Sequence, residues 1–294
     1  MGTAAHVVAV GDRAEALLER AALALADLER KWSRFIASSE VSRLNALSGQ
    51  HVVVSVETLL LVQCALHGWS RTGGLFDPTV LPSLRAAGYD RDFAAVATHA
   101  SGVGLTPVAP APGCADIECD ERVGTVTLPR GVEFDPGGIG KGLAADLVSA
   151  DLVDAGARGV LVNVGGDLRV RGEPPNGATW DVAIADPVRT DRELLRVGLV
   201  HGSVATSSRM RRRWQNAAGE AHHVIDPRNG RPARTPHATV AAITGEGWWS
   251  EVVAKAVLVG GLGTEAGAGF AARLLTVDDD GVVAVEPTLI GAAR

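Results

Sequence analysis

Residues 4–10 are apolar and partly β-branched, which predicts a first strand. The period then changes. Leu17, Ala21, Leu25, Leu28 and Trp32 recur at helical spacing, so residues 12–32 read as a long amphipathic helix with Asp12 as its N-cap. A polar stretch at 38–45 leads into a short helix, 52–54 suits a strand, and 56–71 reads as a second helix, ended by Gly73 and Gly74. Prolines break regularity over 76–91, leaving a loop around a short helix. Residues 101–113, rich in Pro, Gly and Ala, form an irregular connection. A hairpin is expected from 117–119 and 125–128, and a strand over 132–134 runs into a glycine-rich turn. A helix over 143–155 follows, capped by Gly156. The run 159–164 is almost wholly apolar and predicts a strand buried on both faces. Further strands fit 180–185, 196–200, 204–206 and 239–244. The segment His222-His-Val-Ile-Asp-Pro-Arg-Asn-Gly-Arg-Pro232 reads as a strand feeding a turn, and 251–259 as a helix. No internal repeat is evident. The pattern predicts an α+β fold and one integrated domain over residues 1–294.

Composition narrows the function classes. The chain is 46% hydrophobic and 21% charged, as in ordinary globular proteins. Its formal net charge of -6 argues against general nucleic-acid binding, which draws affinity from basic side chains on phosphates. No apolar run approaches the ~20 residues of a membrane span. The first residues lack the basic and long apolar regions of a secretory signal, so a cytoplasmic protein without a membrane span is expected. Cys64, Cys114 and Cys119 make no CxxC pair and read as idle thiols. Lysine occurs only at Lys31, Lys141 and Lys255 in a chain that otherwise uses arginine, so each compact ammonium draws attention.

Four groups could carry chemistry. Asp135-Pro-Gly-Gly-Ile-Gly-Lys-Gly142 places glycines between a strand and a helix, where backbone N–H groups can face a phosphate. It is neither a Walker A loop, which needs Ser or Thr where Gly142 stands, nor a GxGxxG loop; a structural turn explains it equally well. His223 lies three residues before Asp226, which would orient a general base, although a lone histidine beside a turn is more often structural. Glu251 and Lys255 share a helix face at i,i+4 spacing, as an ordinary ion pair or as groups facing a phosphate. Arg209, Arg211, Arg212 and Arg213 could hold a diphosphate or form a solvated face.

Taken in order, these segments resemble the ApbE family of FAD:protein FMN transferases. The resemblance rests on Met1-Gly-Thr, Ser33 with Ser38-Ser-Glu-Val-Ser-Arg-Leu-Asn-Ala46, and Gly74 with Phe76-Asp-Pro-Thr-Val80. It continues through Asp135-Pro-Gly-Gly-Ile-Gly-Lys-Gly-Leu-Ala-Ala-Asp146, Leu161-Val-Asn-Val-Gly-Gly-Asp-Leu-Arg-Val170, Val204-Ala-Thr-Ser-Ser208 and the His222–Pro232 segment. The Glu251 helix fits loosely, and the match covers about residues 1–261. The resemblance implies a T-fold-related domain with mixed and antiparallel sheets packed by helices. It implies binding of FAD, release of AMP, and transfer of FMN to a Ser or Thr of an acceptor protein, often an extracytoplasmic one. His223 matches the proposed base. Met1, Phe35, Leu75, Phe76, Asp77, Asp135 and Lys141 match flavin-site positions.

The family's Mg²⁺ site, an Asp and a Thr four residues apart plus a loop carbonyl, falls on Glu251, Lys255 and Gly138. Glutamate can bind Mg²⁺ but a protonated lysine cannot, so the expectation is that the Lys255 ammonium, held by Glu251, replaces part of the metal's charge. The family's Ser-Gly-x-Tyr is here Ser207-Ser-Arg-Met210. An FAD diphosphatase and a flavin-binding protein without turnover are the alternatives, and a homodimer is compatible with either.

Overall fold

The computed structural model describes residues 3–97, 109–187, 189, 192–216 and 219–290. The chain divides into two compact units, each assembled from segments far apart in sequence. One holds Leu28–Gly138 and Arg209–Arg234, the other Thr3–Asp27, Ile139–Ser208 and the chain from Thr235 onward. Among the described residues no helix is long and apolar enough to cross a membrane.

The second unit is built on a seven-stranded sheet with every neighbouring pair antiparallel. Its order is Ala5–Val10, Gly159–Val164, Asp167–Gly172, Gly202–Ser208, His237–Thr244, Arg273–Asp278 and Val283–Val285. One face buries Leu168, Val170, Val204, Ala241, Ile243, Leu275 and Val277 under the strand pair Trp180–Ala185 and Glu193–Leu199, which contributes Trp180, Val182, Ile184 and Val197. The period-2 alternation sends Val160, Val162, Val240 and Ala242 the other way. The helices Gly140–Asp154 and Gly247–Gly260 pack on the strands that carry them. In the strand over 159–164, Val160, Val162 and Val164 are buried while Leu161 and Asn163 are half-buried, so only one of its faces is fully closed.

The first unit contains the helices Glu40–Ala46 and Val56–Arg71, both N-capped by serine. The Ser39 hydroxyl accepts from Ser42 N–H at 3.0 Å, and Ser55 from Thr58 N–H at 3.4 Å. A three-stranded antiparallel sheet joins His51–Val53, Thr125–Thr127 and Glu118–Asp120, the expected hairpin included. A second core gathers Leu84, Ala87, Tyr89, Val96, Trp214, Ala221 and Ile225.

Three local expectations are corrected. Residues 132–134 are not in a ladder: Phe134 N–H donates to Asn45 Oδ1 at 2.7 Å and Asn45 Nδ2 donates to Phe134 O at 3.0 Å, so a side-chain amide takes the place of a neighbouring strand. The first helix starts at Ala14, and Arg13 supplies its first carbonyl acceptor, to Leu17 N–H, in place of Asp12. The helix expected over 251–259 begins at Gly247, because its first N–H groups are satisfied by a residue distant in sequence, Asp146.

Candidate active site

In the second unit, the glycine-rich loop ends where helix Gly140–Asp154 starts. Its N-cap Ile139 offers no side-chain bond. Lys141, on the first turn, pairs with Asp167 and lies with its Nζ 3.0 Å from Glu251 Oε1. Asp167 opens its strand directly after the Gly165-Gly166 turn, and its other oxygen accepts from Thr206 N–H at 3.1 Å. Glu251 Oε2 accepts from Gly142 N–H at 2.8 Å. Both carboxylates are buried, whereas the Lys141 side chain keeps 22% of its surface. One ammonium thus stands between two buried carboxylates on a side chain that is not fully buried.

The close approach of the two helices requires glycine. A Cβ on Gly142 would lie 2.2 Å from Gly247 O, and one on Gly247 would lie 2.4 Å from Gly142 O. The amide of Gly142, one of those expected to face a phosphate, is committed to Glu251. Lys255, one turn beyond Glu251, is half-buried.

In the first unit, Asp135 is held from several sides. Its N–H donates to Pro78 O at 2.7 Å, its Oδ1 accepts from Gly137 N–H at 3.1 Å, and Arg34 Nε lies 3.6 Å away. The Arg34 guanidinium stacks 4.3 Å from the Phe35 ring centroid and 4.7 Å from that of Tyr89, and both its Nη atoms donate to Tyr89 O at 3.2 Å. Phe35, an exposed residue, is therefore backed by a cation.

Asp77 is buried and its Oδ1 accepts from both the N–H (2.7 Å) and the hydroxyl (2.6 Å) of Thr79. Burial outweighs these bonds and pushes its carboxyl above the usual range. Leu75 is half-buried. The Phe76 side chain, 1% exposed, belongs to the core, and its N–H goes to the Thr72 hydroxyl at 3.1 Å.

His223 is half-buried, with its N–H bonded to Arg212 O at 3.3 Å. The nearby Asp226 carboxylate accepts from Arg228 Nε and Nη2, both at 2.8 Å, and from Asn229 Nδ2 at 3.2 Å. Burial raises the Asp226 carboxyl, but Arg228 more than offsets this and leaves it below the usual range. The arginine run is divided: Arg212 donates to the Tyr89 hydroxyl at 3.2 Å, Arg213 pairs with Glu220, and Arg211 is exposed. Met1 lies outside the described residues. Gly138 is the last residue of its segment in the first unit, and Ile139 the first of the next segment in the second.

Residues 1–278 match the ApbE family model. The chain belongs to the ApbE family. It is 30% identical over 272 residues to the FAD:protein FMN transferase of Rhodobacter capsulatus, an alignment covering 89% of this chain and 50% of that protein. It is 25% identical over 260 residues to the FAD:protein FMN transferase of Haemophilus influenzae, covering 83% and 73%. The chain thus spans half the length of the first relative and about three quarters of the second. The fold is shared with the ApbE protein of Thermotoga maritima, at a TM-score of 0.84 and 24% identity over 100% of this chain and 96% of that one. The flavin transferase ApbE of Vibrio cholerae superposes with a TM-score of 0.76 at 22% identity, covering 99% and 96%. The ApbE fold expectation, α+β with antiparallel sheets packed by helices, holds.

The sequence pattern does not single out Asp167, Thr206 and Asp146 in the second unit or Arg34 in the first. Asp167 is within its reach, since a carboxylate following a Gly-Gly turn at a strand start is a placed group; the other three reveal themselves only through long-range contacts.

Proposed function

We propose that this ApbE chain transfers FMN from FAD to a Ser or Thr hydroxyl of an acceptor protein. The hydroxyl oxygen attacks the FMN-side phosphorus of FAD, the bond from that phosphorus to the bridging oxygen breaks, AMP leaves with that oxygen, and the hydroxyl proton passes to His223. The observation that carries the reading is Lys141, held between Asp167 and Glu251 on the first turn after a glycine-rich loop. An ammonium fixed in place on a side chain that is not fully buried is suited to the charge that builds on a diphosphate as it is cleaved. Phe35, Leu75, Phe76, Asp77 and Asp135 form the flavin-site positions of this reading, with Met1, and residues 1–294 act in it as one transferase domain.

Mg²⁺ takes oxygen ligands in near-octahedral geometry. Glu251 is already bound to Lys141 and Gly142, and Lys255 brings an ammonium with no lone pair. Among the described residues no set of three or more His, Cys, Asp or Glu side chains is grouped to hold an ion. The donor set does not fit a dedicated Mg²⁺ cage. In this reading the ammonium groups of Lys141 and Lys255 carry part of the charge a cation would supply.

Lys255 also supports a second reading, a flavin-binding protein without turnover. One experiment separates them: the chain is incubated with FAD and an acceptor peptide carrying Ser and Thr hydroxyls, with Mg²⁺ and with EDTA, and AMP release and peptide mass are measured. FMN mass added to the peptide supports the transferase, and its persistence in EDTA supports lysine in the metal's place. AMP and free FMN without peptide modification indicate a diphosphatase. Bound FAD with no AMP indicates the flavin-binding protein.

A further inference from the structure

Helix Gly247–Gly260 has no side-chain cap of its own. Its first two amides go instead to one carboxylate of the neighbouring helix: Gly247 N–H donates to Asp146 Oδ1 at 2.8 Å and Trp248 N–H to Asp146 Oδ2 at 2.9 Å. Asp146 is buried, and burial pushes its carboxyl up against these bonds. Behind it stands Arg169, 2% exposed, with its Nε 3.2 Å from Asp146 Oδ1 and its Nη2 2.7 Å from His201 Nε2. Arg169 Nη1 is buried with no hydrogen-bond partner. A buried, incompletely satisfied ion pair of this kind is weak evidence for stability, because desolvation opposes the attraction between its charges.

Its placement suggests what else it does. Arg169 is two residues from Asp167 on the same strand, so both point to one face. Asp167 binds Lys141, and Asp146 lies on the helix that Lys141 begins. Glu251 is one turn beyond Gly247 on the helix that Asp146 caps, and it returns to Lys141 and Gly142. The contacts form a closed circuit through two helices and one strand, with Gly142 and Gly247 in contact at the crossing. Asp146 and Glu251 are thus joined through the first turn of helix Gly247–Gly260.

We propose that Asp146 and Arg169 are positioning residues that set the geometry between Lys141 and Glu251. The kinetic part of this proposal rests on the transferase reading; the geometric part does not. Two readouts test it on the full chain carrying Asp146→Asn, which can accept only one of the two amides, or Arg169→Lys. The first readout is AMP release in the presence of acceptor peptide. The expected result is a fall in kcat of ~10-fold or more with KM for FAD changed less than about 3-fold, because binding remains while alignment is lost.

The second readout is the ¹H–¹⁵N spectrum of the lysine ammonium groups. With three lysines in the chain, Lys141 is identified by the signal lost in Lys141→Arg. Its signal is expected to move in both variants while that of Lys31 stays. Unchanged kcat well below the melting temperature together with an unmoved Lys141 signal overturns the proposal, even if the variants melt earlier. If the unaltered protein releases no AMP, the transferase reading fails and the Lys141 signal alone decides: displacement upholds the pair's role, an unmoved signal ends it. Should Asp146→Asn fail to fold, Arg169→Lys carries the same comparison.

Discussion

Lys141 Nζ lies 3.0 Å from Glu251 Oε1 while also pairing with Asp167, so two buried carboxylates share one ammonium. Lys141→Met would leave both buried without the ammonium they share. Removing one partner from a buried pair costs about 3–5 kcal/mol, and the remaining exposure of Lys141 places this case at the lower end. Urea unfolding of the variant should show it. Lys141→Arg should recover much of the stability and little of the activity, because a planar fork cannot occupy the point of a compact ammonium. Equal recovery of both would mean that Lys141 is a structural cation.

His223→Ala should leave FAD binding close to that of the unaltered protein and slow transfer by ~10²-fold or more, the usual range for loss of a general base. Fluorescence titration with FAD and peptide mass measured over time separate the two effects. Transfer at an unchanged rate would remove His223 from the mechanism. The Asp226 carboxylate is engaged by Arg228 and Asn229, so Asp226→Asn should act first on that turn, lowering stability more than rate.

Gly142 and Gly247 test the helix crossing. The Cβ of Gly142→Ala meets the Gly247 carbonyl at 2.2 Å, and backbone cannot swing aside as a flexible side chain can. Overpacking of this kind costs about 1–3 kcal/mol or more, and the shift should also reduce activity because Gly142 N–H binds Glu251. Gly245→Ala is the matched control: its added carbon meets nothing within 4 Å, and it should change stability by under about 1 kcal/mol in either direction. Thermal melts of the two variants side by side settle the comparison.

These contrasts show which parts of the molecule local sequence rules can reach. The helices capped by Ser39 and Ser55, and the strand Trp180–Ala185 with strictly alternating burial, follow from residues a few positions apart. The strand Asp167–Gly172 was hidden because Asp167 and Arg169 put buried charges where the apolar pattern should continue. The strand Arg213–Asn216, paired with Gly219–His222, was masked by the arginine run that leads into it. The early start of helix Gly247–Gly260 and the irregular backbone at 132–134 share one cause. In each, a backbone group is satisfied by a side chain far away in sequence, Asp146 or Asn45, and no local pattern announces that. The site behaves likewise: the glycine-rich loop, Lys141 and Glu251 are visible as residues, while the circuit joining them exists only in three dimensions.

His222 gives the last prediction, on pH. Burial, followed by the charges of Arg209 and Arg213, lowers its pKa from the usual 6.5 to about 4. Between those values the unfolded chain binds a proton that the folded protein does not. The stabilising contribution is therefore complete above pH 6.5 and is lost as pH falls toward 4. The ring is only half-buried, so solvent screening reduces the effect to about 1–2 kcal/mol. Asp77 and Asp146, whose pKa values are raised, act in the opposite direction at the acid end, so the parent's curve alone is not diagnostic. The difference between parent and His222→Gln is diagnostic, because both carry the same carboxylates. Denaturant unfolding at intervals between pH 4 and 7.5 should show the parent losing stability relative to the variant as pH drops. Parallel curves would mean that His222 is protonated as readily in the folded protein as in the unfolded chain.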